Sequence, residues 1–349
     1  MAAPSTLDAA SEVDALRAAM ADAGTVVPVG GRTHWEVGGP PPTGVEVRAP
    51  AGIVAYEPGD LTVTVRAGTV VADLDAVLAE AGQECPLDPR DPVRATVGGT
   101  LAAGLSGHRR LRYGPLRDRL LEVRFVTGDG RLVKGGGPTV KNVTGYDVPR
   151  LLVGSLGTIG VMVQVTLRCQ PRAQVAAWYD APGDPVVARR TLFRPACVAW
   201  DGTRTRFLLE GYADDVEAEV AAAGLVPGAA RPELPAGPYR GRISVRPGRI
   251  ASLGDELGGI AGLAFLAEVG VGTVHVAAPG PEPVRAARAA AERRGGSLLR
   301  EAGSDVDGFG APLVNLDVMR RVKAGLDPAG KLSPGRLPLD ADGRGSPPR

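Results

Sequence analysis

The chain has few of the side chains that build metal centres, disulfide frameworks or nucleic-acid surfaces. Its 349 residues hold 3 cysteines and 3 histidines. Cys85, Cys169 and Cys197 lie far apart with no C-x-x-C spacing, which excludes a disulfide framework and an iron–sulfur site and fits a reducing compartment. Charge of one sign is missing as well: 40 Lys and Arg stand against 39 Asp and Glu. No general field therefore exists to hold nucleic acid or an anionic membrane, and a charged ligand must be gripped locally. Aromatic residues are 4% of the chain. The N-terminus has no basic segment leading into an apolar one; its first basic residue is Arg17, so export is not expected. The long apolar stretch "IAGLAFLAEVGVGTVHVAA", from Ile260, carries Glu268, His275 and several glycines, which makes a membrane span costly. A cytoplasmic protein without a transmembrane segment is expected.

Glycine, proline and apolar residues are plentiful: 49 Gly, 31 Pro and 44% hydrophobic. That composition suits many short strands and turns, and the length suits two domains. "SEVDALRAAM" reads as an amphipathic helix with Ser11 and Asp14 as a capping box and Val13, Leu16 and Met20 on its buried face. "TVVPV" is a strand running into a glycine loop. "VEVRA", "IVAYEPGD" and "LTVTVRAGT" read as short strands, and "VVADLDAVLAEAG" as a helix burying Val71, Leu74, Leu78 and Ala81. "LLEVRFVTGDGRLVK" predicts a hairpin turning at Asp129 and Gly130. In "GTIGVMVQVTLRCQP" the apolar residues Ile159 to Leu167 alternate as in a half-buried strand, stopped by Pro171. From about Arg172 the texture shifts to Pro- and Arg-rich connections between short apolar runs. This is a second domain with a weaker signal, and His275 in "GTVHVAA" reads as a core-strand residue.

The glycines recur in clusters: "VVPVGGRTHWEVGGP", "RATVGGTLAAGLSGHRRLRYG" and "KNVTGYDVPRLLVGSLGTIG". Taken singly, each is most simply a turn or bulge. Massed in one domain, they suggest backbone lying along a ligand of dinucleotide size, with bare amides around a diphosphate. "GSLGTIG" precedes a strand instead of following one, so it is not the dinucleotide fingerprint of a Rossmann fold. "GLDPAGKL" satisfies G-x-x-x-x-G-K through Gly325, Gly330 and Lys331. Leu332 there replaces the magnesium-binding hydroxyl and a helical pattern precedes the loop, so no ATP site is expected.

"PVGGRTHW", "CPLDPRDPVRATVGGTLAAGLSGHRRLRYGPLRD", "GGGPTVKNVTGYDVPRLLVGSLGTIGVM" and "LDPAGKLSPGRLP" together resemble FAD-binding oxidases of the vanillyl-alcohol-oxidase (PCMH) type. Within that family the likeness is greatest to the FAD-binding accessory subunits of bacterial glycolate oxidases, and it covers the first half of the chain well and the middle poorly. The resemblance implies an α+β architecture: a PCMH-type FAD-binding domain of two α/β subdomains over 1–171, an α+β cap over 172–322, and a segment 323–349 that returns to the FAD domain and ends in a polar tail. It implies non-covalent FAD held by Val29, Gly30, Gly31, Arg32, Thr33, His34, Asp88, Thr96, Gly98, Gly99, Gly104, Gly107, Gly145, Gly154, Gly157, Gly160 and Val161. Arg32 stands where some relatives tether flavin through histidine. His108, with Arg109, Arg110 and Arg112, either sits near a flavin or substrate anion or forms a solvated basic turn.

The same resemblance implies oxidation of a small 2-hydroxy acid, in which FAD carries the chemistry. Only His275 remains for the second domain, so no metal site is expected and no catalytic residue is assigned. The expected partners are a second FAD-linked hydroxy-acid oxidase subunit and an iron–sulfur subunit, through which the chain attaches peripherally to the inner membrane face. A self-sufficient FAD-dependent oxidase of a sugar acid, lactone or other hydroxy acid is the alternative.

Overall fold

The computed structural model describes residues 6–138, 147–181, 189–190, 192–228, 230–310 and 313–339. The first lobe contains helices α1 (Thr6–Asp22), α2 (Val71–Glu80), α3 (Val97–Ala103), α4 (Arg110–Tyr113) and α5 (Val148–Leu152). Its strands are β1 (Val26–Pro28), β2 (Val45–Val47), β3 (Ile53–Glu57), β4 (Thr62–Arg66), β5 (Gln83–Glu84), β6 (Leu120–Val126), β7 (Leu132–Gly136), β8 (Val161–Arg168) and β9 (Gln170–Pro171). Strands β1 and β2 pair in parallel, and β3-β4-β8-β6-β7 form an antiparallel sheet in that order. The predicted hairpin is β6–β7, closed by the Thr127 amide on the Arg131 carbonyl at 3.0 Å.

Two sequence expectations change. Helix α1 starts at Thr6, because the Ala-rich "TLDAA" continues the helix upstream; Ser11 and Asp14 are therefore interior, and Asp14 pairs with Arg17 at 3.0 Å. Strand β8 is buried on both faces, not one. Val161 and Val163 pack with Leu16 and Met20 of α1, while Met162, Val165 and Leu167 pack with Leu74 and Leu101 on the helical side. Its polar position Thr166 is also buried and pairs with Thr64 at 2.9 Å, so the alternation marks two different cores. Helix α2 buries Val71, Leu74 and Leu78, with Ala81 as its exposed C-cap.

The second lobe is built on an eight-stranded sheet in the order β13-β10-β12-β11-β15-β16-β14-β17. These strands are β10 (Val175–Ala181), β11 (Cys197–Trp200), β12 (Thr205–Gly211), β13 (Val226–Pro227), β14 (Tyr239–Ser244), β15 (Ala264–Glu268), β16 (Thr273–Ala278) and β17 (Ser297–Ala302). The apolar stretch from Ile260 becomes β15 and β16, an antiparallel pair turning at Gly270 and Gly272, both with positive φ. Helices Ala213–Ala223, Ile250–Gly258 and Pro281–Glu292 bury Val216, Leu253, Leu257, Val284 and Ala287 in the same core as Phe207 and Ile243.

The chain then returns to the first lobe. After the helix Leu316–Leu326, Asp327 accepts from the amides of Lys331 and Leu332 and pairs with Lys323 at 2.5 Å. The amide of Val26 donates to the Lys331 carbonyl at 2.8 Å and that of Ser333 to Val26 at 2.9 Å, which extends β1 by one neighbour. The "GLDPAGKL" loop is thus a structural turn organised by a buried carboxylate. No described helix is long and apolar enough to cross a membrane.

Candidate functional site

A cleft in the first lobe runs between the loop after β1 and the start of α3. It is lined by Val29 to Trp35, Thr96, Gly98, Gly99, Gly157, Gly160, Val161 and, from the C-terminal segment, Ser333 and Arg336. Among the described residues, the backbone N–H groups of Gly30, Gly31, Arg32, Thr33 and His34 have no hydrogen-bond partner. Five successive free donors on a half-exposed loop beside a cleft form a concave run of backbone amides suited to an anion.

The glycines do a different job from the one the sequence suggested. A Cβ on Gly31 would lie 1.6 Å from the Arg94 carbonyl oxygen, and one on Gly30 would lie 2.2 Å from Oγ1 of Thr96. Gly98 faces Ala67 at 2.8 Å, and Gly160 meets the ring of Phe125 at 2.5 Å. Missing side chains let the loop nest on the neighbouring backbone, and that nesting leaves its amides along the cleft. Arg32 pairs with Glu46 and lies 4.4 Å over the Trp35 ring, while Arg48 donates to the Gly30 carbonyl at 2.9 Å.

Other expected residues lie elsewhere. Gly104 and Gly154 have positive φ and pack on each other: a Cβ on Gly104 would sit 2.6 Å from Gly154 Cα. Neither lines the cleft. Asp88 and Gly107 meet at a second cavity, where a Cβ on Gly107 would lie 2.1 Å from that of Asp88. Gly145 lies outside the described residues.

That second cavity lies between the lobes and is lined by His34, Asp88, Arg90, His108, Arg231, Arg242, Glu268, His275 and Glu301 among others. It gathers all three histidines of the chain, and His34 also lines the first cleft. His275 Nε2 lies 3.2 Å from Glu268 Oε1, and the Nδ1 atoms of His108 and His275 are buried without partners among the described residues. Arg90 pairs with Glu301 at 2.9 Å and Arg242 donates to the Ser106 carbonyl at 2.7 Å. Among the described residues no group of three or more His, Cys, Asp or Glu side chains is placed to hold a metal ion. Burial pushes the His34 imidazole down, and the nearby Arg90 and Arg242 add to this against Glu301. Sequence reasoning assigned no role to Arg90, Arg231, Arg242, Glu268, Glu301 and Arg336, although Arg90 stood within "CPLDPRDPVR", Glu268 within the apolar stretch from Ile260 and Arg336 within "LSPGRLP".

The basic turn at His108 is not solvated. Arg109 is clamped by Asp88 at 2.7 Å, Glu84 at 2.7 Å and Glu210 of the second lobe at 3.6 Å. Although burial opposes it, Arg109 holds the Asp88 carboxyl below its usual range. His108 stacks on Trp178 with centroids 5.8 Å apart, and burial pushes its pKa down to about 4. An unfolded histidine titrates near 6.5, so acid protonates the unfolded chain first, and stability present at pH 7 is lost as pH falls from about 6.5 to 4. About 2 kcal/mol of it should be gone by pH 5. Urea unfolding at pH 7 and pH 5 checks this: His108→Gln should flatten the dependence, and an undiminished slope in that variant contradicts it.

With this geometry in view, the comparisons decide the first lobe. Residues 4–136 match the family described as FAD binding domain. The first lobe carries an FAD-binding domain of the PCMH type. Glycolate oxidase subunit GlcE of Escherichia coli is 42% identical over 141 residues, which are 40% of this chain and 40% of that subunit. The mitochondrial D-lactate dehydrogenase [cytochrome] of Arabidopsis thaliana is 35% identical over 45% of this chain and 28% of its own length. Glycolate oxidase subunit GlcD of Bacillus subtilis is 32% identical over 35% and 26%. The chain therefore spans well under half of each of these relatives. A solved structure of alkyldihydroxyacetonephosphate synthase superposes with a TM-score of 0.65 at 13% identity, covering 95% of this chain and 74% of that one, which extends the shared α+β fold beyond the FAD-binding domain into the second lobe. FAD is the cofactor of this domain, and the run of free amides fits its diphosphate.

Proposed function

We propose that this chain holds FAD along the first-lobe cleft and serves as the FAD-binding subunit of an oxidoreductase assembly that oxidises a small 2-hydroxy acid, glycolate being the first candidate. The observation that carries this reading is the unpaired amide run from Gly30 to His34, whose last residue lines both the cleft and the interlobe cavity. Bound FAD supplies two-electron acceptance. The amides of residues 30–34 hold its diphosphate, with Thr96, Gly98, Gly99, Gly157, Gly160 and Val161 along the rest of the cofactor. In the interlobe cavity Arg231 and Arg242 attract a carboxylate, and the partnerless Nδ1 of His108 or His275 takes a hydroxyl proton. Residues 1–171 with 323–349 form the FAD lobe and 172–322 the cap. The three cysteines are buried and form no ligand set for a cluster, so electrons leave to a partner flavoprotein and an iron–sulfur subunit, at the cytoplasmic face of a membrane.

The interlobe cavity favours a second reading, in which the chain is a self-sufficient hydroxy-acid oxidase with its own substrate chamber. Anaerobic addition of glycolate or D-lactate to the holoprotein separates the two. Under the first reading the oxidised-flavin bands persist until partner subunits are added; bleaching by the acid alone supports the second. Bands that survive every hydroxy acid even with partners present overturn both.

A further inference from the structure

Arg336 is a buried cation with no anion beside it among the described residues. It is 7% exposed, and its guanidinium donates only to carbonyls: Trp35 at 2.7 Å, Gly39 at 3.1 Å and His34 at 3.3 Å. No ion pair to a carboxylate forms among the described residues, and the charge that acts on it is the like charge of Arg300. Of the other buried arginines, Arg66 has Glu12 at 3.7 Å and Arg288 has Asp307 at 3.7 Å, while Arg300 likewise donates only to carbonyls but does not line the cleft. A buried guanidinium paired only with dipoles is costly, and burial together with Arg300 pushes its pKa down to about 10. Arg336 also lines the cleft, held on the carbonyl of His34, a residue that lines the interlobe cavity as well.

We infer that the negative charge missing beside Arg336 is supplied by reduced FAD, so that this residue of the C-terminal segment sets the reduction potential of the cofactor. This rests on the reading of the first-lobe cleft as the FAD site. Oxidised isoalloxazine is neutral; when FAD accepts two electrons and one proton, one negative charge remains on the ring. The diphosphate carries the same charge in both states and is served by the amide run that begins at Gly30, upstream of the His34, Trp35 and Gly39 carbonyls that hold Arg336. A cation at the His34 end therefore binds the reduced cofactor more tightly than the oxidised one, which favours reduction. The return of the chain after Leu326 thereby has an electrostatic purpose besides packing.

Arg336→Gln keeps donors for the carbonyls of His34 and Trp35 but removes the charge, and Arg336→Lys keeps the charge. Dye-equilibration potentiometry of the holoproteins with dithionite as reductant, together with fluorescence titration of oxidised FAD, tests the inference. The expected result is a tenfold or greater weakening of reduced relative to oxidised FAD binding in Arg336→Gln, a fall of about 30 mV for a two-electron couple. Affinity for oxidised FAD should stay within a few-fold, and Arg336→Lys should recover most of the potential. An unchanged potential overturns the inference, whether oxidised-FAD affinity drops, as for a diphosphate contact, or only the melting temperature drops, as for a structural tie. If Arg336→Gln does not fold, the unaltered holoprotein stands in: its potential is expected to lie above that of free FAD, and one at or below it counts against the inference. Failure of the cleft reading itself shows separately, as Gly31→Val retaining FAD.

Discussion

Gly31→Val is expected to yield a folded protein that holds no FAD. The added Cβ alone would stand 1.6 Å from the carbonyl oxygen of Arg94, and that oxygen belongs to backbone tied by the Ala95 amide to Asp91. The loop after β1 must therefore lift, since the Arg94 side cannot yield. Each amide withdrawn from an ionised phosphate loses a charge-assisted hydrogen bond of roughly 1.5–3 kcal/mol. Losing two corresponds to at least a hundredfold weaker binding. The first-lobe core reaches this segment through Ala95 and Val97, but the loop after β1 contributes no side chain from residues 30–34 to it, so circular dichroism of the apoprotein should keep its shape. Flavin content after gel filtration checks the result, and retention of stoichiometric FAD contradicts the placement of the diphosphate on this loop.

The second large effect is on stability. Arg109→Met should destabilise the protein by about 3–5 kcal/mol, the usual consequence of removing one partner from a buried ionic cluster. Asp88, Glu84 and Glu210 surround that guanidinium, and without it they face one another at low solvent exposure. Glu210, which burial already pushes toward a higher pKa, also receives the Tyr113 hydroxyl, so the damage spans the lobe interface. A melting-temperature drop on the order of 10 °C is expected at pH 7. Protonation of the orphaned acids should relieve part of it near pH 5. A variant as stable as the parent contradicts the assignment of Arg109 as the shared counter-ion.

The first lobe was legible in the sequence because its strands and helices are long enough to show a period. The β6–β7 hairpin and α2 followed directly from alternation and from Val71, Leu74 and Leu78. Strand β8 was placed correctly but given one buried face, because alternation reports side-chain direction and not what packs on each side. The second lobe was opaque: β11 and β13 are too short to carry a pattern. Within the cleft, local motifs revealed the loop at residues 30–34 and Thr96 to Gly99. They misassigned the reason for the glycines, since contacts such as Gly31 with Arg94 depend on chain segments 63 residues apart. The interlobe cavity was invisible for the same reason. His34, His108, Arg242 and Glu301 are brought together by topology, and no spacing along the chain encodes that.

The measurement that tests the central claim most directly is the visible absorption spectrum and flavin-to-protein ratio of the purified chain, repeated after incubation of any apoprotein with FAD. The account predicts oxidised-flavin bands at about one FAD per chain, released by denaturation because the cofactor is non-covalent. A colourless protein that stays colourless after incubation with FAD would contradict it.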